Sequence, residues 1–407
     1  MAVLMLSVFT VSMGFGVMLP LLPYLVEQLL AAGDGAAGIS RTTGLLTGLY
    51  MLSLFAFAPL WGRLSDRYGR RRILVVGLLG FGAAMLTFAF IERLAAMYLE
   101  RFVSGMFAAA VTPVALAVIG DLATTEEARA RRLTFVSLAG ISGFLLGPML
   151  GAFLAQSAAA ILPAGSATKP QSIPLVGTAV LALLTAAAAM VRVPSSGRSN
   201  AAGSEGRPLA QAASWPAGSL LFLTFIVSAG VSTFEVGLAL RGKQDLGLSQ
   251  YQIALMFTAC SVVMLVVQAI VFSPLIKPGT TRWFIAPALA LLAAGIVLTP
   301  YASDFTWMLI AVGTVAASAG IASPILTYWI SRGAGGAQGT ELGKQTAAAS
   351  LGAALGSVVG GLLFEVVWLP NASFLIMAVL TVLGVALSLG LPTSLAKQGG
   401  GVVAGQS

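Results

Sequence analysis

Polar and apolar positions along this 407-residue chain are segregated into long blocks rather than interleaved. Twelve windows contain no Asp, Glu, Lys or Arg: residues 1–26, 42–62, 73–91, 102–120, 133–168, 170–191, 208–234, 246–276, 283–303, 305–331, 345–364 and 366–396. Each reaches the roughly 18 apolar residues that mark a membrane-crossing helix. A barrel strand needs only about 10 residues and alternates apolar with polar, a pattern none of these windows shows. Hydrocarbon offers no water to backbone N–H and C=O groups, so such runs must satisfy their own as helices. The expected fold is therefore an all-α membrane protein with twelve transmembrane helices. The first window begins at Met1 with no basic stretch before it and no small-residue cleavage site after it, and reads as a retained helix rather than a signal peptide.

Composition agrees, with 58% hydrophobic and only 9% charged residues, where a soluble domain carries about a quarter charged. The net charge of +8 would suggest nucleic acid in a soluble protein, but here the positive-inside rule accounts for it. Sixteen of the 22 basic residues lie in the even-numbered connectors and the C-terminal tail, among them Arg63, Arg67, Arg70, Arg71, Arg72, Arg129, Arg131, Arg132 and Arg332. Both termini are thus expected in the cytoplasm, the chain spanning a bacterial inner membrane, with the lipid bilayer and no nucleic acid as partner. The single cysteine, Cys260, excludes an intramolecular disulfide framework. The absence of histidine excludes a His-based zinc site or a Ser-His-Asp triad within the chain, so no metal and no enzyme activity are expected. Gly343-Lys344-Gln345 lacks the hydroxyl residue and upstream glycine of a phosphate-cradling loop, and Gly333, Gly335 and Gly336 miss the dinucleotide spacing. No cofactor is implied, and transport would draw on an ion gradient or run downhill.

Six windows precede and six follow a Ser-, Gly-, Ala- and Pro-rich stretch that reads as a flexible linker. The implied organisation is an N-terminal six-helix bundle over 1–191, a cytoplasmic linker over 192–214, a second six-helix bundle over 215–395 and a tail over 396–407. Landmarks recur between the halves. Gly143, Gly147 and Gly151 share their spacing with Gly352, Gly356 and Gly360, 209 residues on. Thr112-Pro113 matches Ser323-Pro324 at an offset of 211. Duplicated halves related by an axis along the membrane normal are a recognised transporter plan, with the substrate path between them.

Trp61-Gly62-Arg63-Leu64-Ser65-Asp66-Arg67-Tyr68-Gly69-Arg70-Arg71-Arg72 joins spans two and three, where Gly62 and Gly69 would allow a tight turn and the arginines would hold the anionic membrane face. As a bare pattern it is also consistent with an ordinary positive-inside loop holding a locally paired Asp66. The sequence resembles the signature loop of the major facilitator superfamily, G-x-L-x-D-R-x-G-R-R, with Gly62, Asp66, Arg67, Gly69 and Arg70 in place. Three further stretches are similar to the drug:proton antiporter branch of that family, the multidrug and tetracycline type. They are Arg101, Gly105 and Pro113 in span four, the G-x-x-x-G-P-x-x-G of Gly143, Gly147, Pro148 and Gly151 in span five, and Gly14, Gly16, Pro20 and Pro23 in span one.

The resemblance implies a secondary transporter that exports small amphipathic compounds against protons by alternating access, acting as a monomer on a small-molecule substrate. It also implies that Asp66 pairs across the halves, that Arg101 faces the cavity and helps move protons, and that the face around Pro148 lies between the halves. From the residues alone, Arg101 could instead snorkel to the outer interface beside Glu100, and Pro148 could be an ordinary packing kink. Neighbouring helix positions diverge by about 100°, so Glu100 and Arg101 are not expected to meet one partner squarely. Many proton-coupled exporters of the family keep a carboxylate in mid span one, whereas this chain has Thr10-Val11-Ser12-Met13-Gly14. Glu235 in span seven, and less so Glu27, are then the candidate proton carriers, either of which could also be an interfacial residue. The other readings are a symporter importing a nutrient or metabolite, and a membrane-embedded enzyme or receptor.

Overall fold

In the computed structural model, all residues are described except 31–34, 123–125, 162–168, 195–214, 272–277, 334–337, 367–368, 370 and 392–407. Most of the expected linker and the whole tail therefore lie outside the described residues, as do the side chains of Arg129 and Arg131.

Twelve α-helices make up the described structure: α1 (Ala2–Leu29), α2 (Gly35–Tyr68), α3 (Arg70–Phe88), α4 (Leu94–Leu122), α5 (Glu126–Ile161), α6 (Ser172–Arg192), α7 (Trp215–Gln244), α8 (Gln250–Val271), α9 (Ile285–Leu298), α10 (Phe305–Gly333), α11 (Gln338–Leu362) and α12 (Ala372–Ser388). Among the described residues, ten stretches are long and apolar enough to cross a membrane. Of the other two, α11 opens on a polar turn holding Glu341 and Lys344, and α12 is an apolar helix of 17 residues. The outer surface is as greasy as the interior: Phe90, Leu184, Val266, Val379 and Leu383 are exposed while Leu74, Phe81, Leu292 and Phe374 are buried. Helices apolar on every side belong in lipid, so this is an integral membrane protein.

Several helices outrun the charge-free windows. α5 begins at Glu126, so Glu126, Glu127, Arg129, Arg131 and Arg132 are helical rather than part of a connector. Glu, Ala and Arg are strong helix formers, and a helix need not stop where hydrophobicity does. Likewise α2 runs to Tyr68, which puts Trp61 through Tyr68 in helix and leaves the turn to Gly69 alone, at φ 97°. Arg241 and Lys243, expected in a connector, complete the last turn of α7. The ninth span is a 14-residue helix between 3-10 segments at Pro278–Phe284 and Thr299–Tyr301.

The chain forms two compact units, Met1–Glu205 with Ala239–Thr258, and Gly206–Leu238 with Ala259–Ser407. In the first unit α1 packs on α5, α2 on α4, and α3 on both α4 and α6. Its core is built by Leu74, Leu78, Phe81 and Met85 of α3 against Val111 and Val114 of α4 and Ala179, Ala182 and Ala186 of α6. In the second unit α9 packs on α10 and α12, α7 on α11 through Gly352 and Gly356, and α8 on α10 through Gly320. The helix pairing of one unit is thus repeated in the other, as the sequence landmarks imply.

Candidate functional site

The span-five glycines form a seam along α1. A methyl group at Gly143 would strike the carbonyl oxygen of Phe9, one at Gly147 would lie 2.5 Å from Met13 O, and one at Gly151 would meet the Val17 side chain at 3.0 Å. Only hydrogen at these positions lets the two backbones come this close. The same contact recurs 216 residues on along α7, where Gly352 faces Phe225 O, Gly356 faces Ala229 O and Gly360 faces Thr233. Pro148 has no N–H to give the carbonyl of Phe144 one turn earlier. That oxygen faces Gly16 of α1, where an added Cβ would lie 3.0 Å from it and 2.9 Å from the Pro148 ring. Gly16 and Pro148 are therefore one device, with the Cα hydrogens of the glycine beside a carbonyl that has lost its helical donor. Gly14 seats α1 against Phe81 of α3 and Thr178 of α6, at 2.7 and 3.0 Å from a would-be Cβ. Pro20 and Pro23 lie inside α1 and remove donors from Gly16 and Leu19 in the same way.

At the Gly69 turn, Arg70 donates to Asp66 at 2.5 Å and to Ser65 Oγ at 2.7 Å, and Ser65 donates to Gly62 O at 2.7 Å. Arg67 is exposed over the Tyr68 ring, and Gly62 has open space around it. Trp61 anchors this end of α2 by donating to Met106 O of α4 at 2.7 Å.

Glu100 and Arg101 of α4 are 5% and 3% exposed. They turn toward one another instead of toward a shared third residue. Arg101 Nε reaches Oε2 at 2.8 Å and a terminal guanidinium nitrogen reaches Oε1 at 3.2 Å, a forked charge-assisted pair. The guanidinium lies 4.6 Å from the centre of the Phe88 ring of α3 and 5.6 Å from that of Tyr50 of α2, so cation–π contacts replace water on its faces. Tyr50 stacks on Phe15 of α1 at 5.4 Å, and Phe15 on Phe144 of α5 at 6.0 Å. A ladder of aromatic rings thus joins the buried pair to the Pro148 segment across four helices. Sequence inspection misses Tyr50, Phe15 and Phe144, since a lone aromatic in an apolar span carries no signal of its own.

Glu235 lies in α7, partly shielded, within electrostatic reach of the Cys260 thiol of α8. Among the described residues no cation or hydrogen-bond donor meets its carboxylate. In the same unit, Thr224 and Ser228 of α7, Ser323 and Thr327 of α10 and Gln345 of α11 line a cleft of about 90 Å³. Gln345 donates to Thr327 Oγ1 at 2.6 Å. These hydroxyls and the amide can recognise a neutral polar group, and none of them carries charge. Glu27 is paired, its Oε2 lying 2.7 Å from Lys243 Nζ.

Comparison with known proteins agrees with this architecture. "Multidrug resistance protein 1" of Bacillus subtilis (strain 168) is 26% identical over 397 residues, spanning 96% of this chain and 95% of the relative. "Quinolone resistance protein NorA" of Staphylococcus aureus (strain COL) is 25% identical over 367 residues, 89% of each chain. The crystal structure of a bacterial homolog to the human lysosomal transporter Spinster superposes with a TM-score of 0.71 at 14% identity, over 97% of this chain and 96% of that one, a likeness of fold. The family model of the Major Facilitator Superfamily matches residues 4–343 and 220–402, overlapping registers that a duplicated helical plan would produce. Signature turn, repeated glycine seams and matched family model together make this chain a member of the Major Facilitator Superfamily.

Proposed function

We propose that this membrane transporter of small molecules is a proton-coupled exporter of small amphipathic compounds. It works as a monomer by alternating access between an N-terminal bundle over 1–191 and a C-terminal bundle over 215–395, with the Asp66 end and both termini in the cytoplasm. The drug-resistance names of its relatives support the direction and the substrate class. The observation that carries proton coupling is Glu235, a carboxylate within a membrane-spanning helix that no described cation neutralises. An unpaired intramembrane carboxylate is costly when charged and is relieved by taking a proton or a cationic group. The Glu100–Arg101 pair is the second polar element available to a proton pathway, and the uncharged cleft around Ser323 and Gln345 supports substrates bound by shape and neutral hydrogen bonds.

The test is accumulation of a fluorescent amphipathic dye in cells with and without the protein, before and after collapse of the proton gradient. Expression should lower accumulation, and collapse should restore it. Glu235→Gln should lose the gradient dependence while the purified protein melts at the same temperature. A gradient that raises uptake of the dye would instead establish import, and an unaltered response of Glu235→Gln would remove this carboxylate from the mechanism.

A further inference from the structure

Far from the signature turn along α2, the last turn of α7 and the start of α8 cluster with the first unit, although α7 up to Leu238 belongs to the second. Polar contacts hold them there. Lys243 Nζ sits 2.7 Å from Glu27 Oε2, donates to Pro23 O at 3.3 Å and lies 5.1 Å from the centre of the Tyr24 ring. Tyr24 in turn donates its hydroxyl to Leu248 O at 2.6 Å. Gln244 accepts from Ser40 Oγ at 3.2 Å and donates to Ala36 O at 3.1 Å. Within the turn itself, Gly247 at φ 58° and the Arg241–Asp245 pair at 2.9 Å fix the geometry that presents Lys243 and Gln244 to α1 and α2.

These contacts differ in kind from the glycine seams. A seam buries backbone against backbone and loses all its dispersion contact if it separates. Here the links are made by side chains at a helix end, and although the Lys243 side chain is only 8% exposed, Glu27 is 56% exposed, so the carboxylate can exchange its partner for water at small net cost.

We propose that Tyr24, Glu27 and Ser40 with Lys243 and Gln244 form a releasable clasp, which must open once per transport cycle and sets how often the path is accessible at this end of the protein. The clasp rests on the alternating-access reading above and deepens it. Glu27 acts in it as the anchor of Lys243 and not as a proton carrier. Releasing the charge pair shifts the population toward the open form by the worth of an ion pair with one exposed partner, about fivefold.

The test places a reporter cysteine, Thr43→Cys, in a Cys260→Ala background. Thr43 is 2% exposed on α2, near Ser40, and its hydroxyl has no partner among the described residues to lose. A membrane-impermeant thiol reagent should label it about fivefold faster after Glu27→Lys or Lys243→Glu, and at the original rate in the Glu27→Lys/Lys243→Glu double variant, whose charges are swapped. Equal labelling in all four proteins would overturn the clasp, as would a double variant that labels as fast as the singles. Should a single variant fail to fold, Glu27→Cys/Lys243→Cys in the same background keeps the proposal open to refutation. Its oxidation should stop dye export and its reduction restore it, and undiminished export by the cross-linked protein would sink the clasp. Labelling needs no substrate, so a protein that labels as expected but exports no dye would count against the exporter reading and leave the clasp standing.

Discussion

The α1–α5 and α7–α11 seams share their glycine spacing and register, and among the residues that differ between them one changes the backbone itself. Pro148 beside Gly147 in the first corresponds to Ser357 beside Gly356 in the second. In the first seam the proline breaks the α5 ladder and turns the Phe144 carbonyl toward Gly16. In the second the ladder is intact, Thr233 donates to Gly356 O at 2.8 Å across the seam, and the Ser357 hydroxyl is buried without a partner among the described residues. The lesson extends beyond the seams, for packing has been duplicated while chemistry has not. The first unit holds the buried Glu100–Arg101 pair, and the second holds Glu235, which has no ion-pair partner among the described residues.

The largest effect should come from what the seams share. Gly147→Leu and Gly356→Leu each drive a side chain into a backbone, which no rotamer can relieve, and both should abolish recovery of folded protein by size-exclusion chromatography. If one were tolerated, the two seams would not be equivalent supports. Next is the unshared pair. Arg101→Ala leaves a buried carboxylate uncompensated and should destabilise by about 3–5 kcal/mol in a thermal melt, whereas the apolar double replacement Glu100→Leu/Arg101→Met should melt near the parent while losing gradient-driven export. An Arg101 that lined a cavity or snorkelled to the interface would tolerate alanine without loss of folding; mutual burial of the two charges argues otherwise. Pro148→Ser makes the first seam like the second and restores a helical hydrogen bond, so it should raise stability by up to about 3 kcal/mol and slow turnover if the kink serves the cycle. Thr233→Val should cost about 1 kcal/mol by removing the bond across the second seam. Ser357→Ala removes a hydroxyl that has no partner and should be neutral or slightly stabilising.

Much of this was legible along the chain. Windows without charge locate the helices because lipid forbids unpaired charge, and glycine spacing marks the seams because only one face of a helix can carry it. Helix ends were less legible: α5 begins at Glu126 within a charged run, since helix propensity and hydrophobicity are separate properties. Which surface a motif meets is a tertiary fact, so the Gly143–Gly151 seam could be read but not its placement on Phe9, Met13 and Val17. The Glu100–Arg101 pairing depends on two flexible arms overcoming the divergence of their Cα–Cβ bonds. Tyr24 and Glu27 are separated from Lys243 by more than half the chain, and nothing local announces their meeting.

One continuous rod, α7, has no proline beyond its first turn, and it carries Glu235 and Lys243 eight residues apart, about 12 Å along its axis. A stiff shaft cannot turn at one end alone. On the proposed reading, in which Lys243 leaves its seat and Glu235 takes up the proton, a twist of this helix moves both groups, and the timing of access is then geared to the timing of protonation through a single piece of backbone.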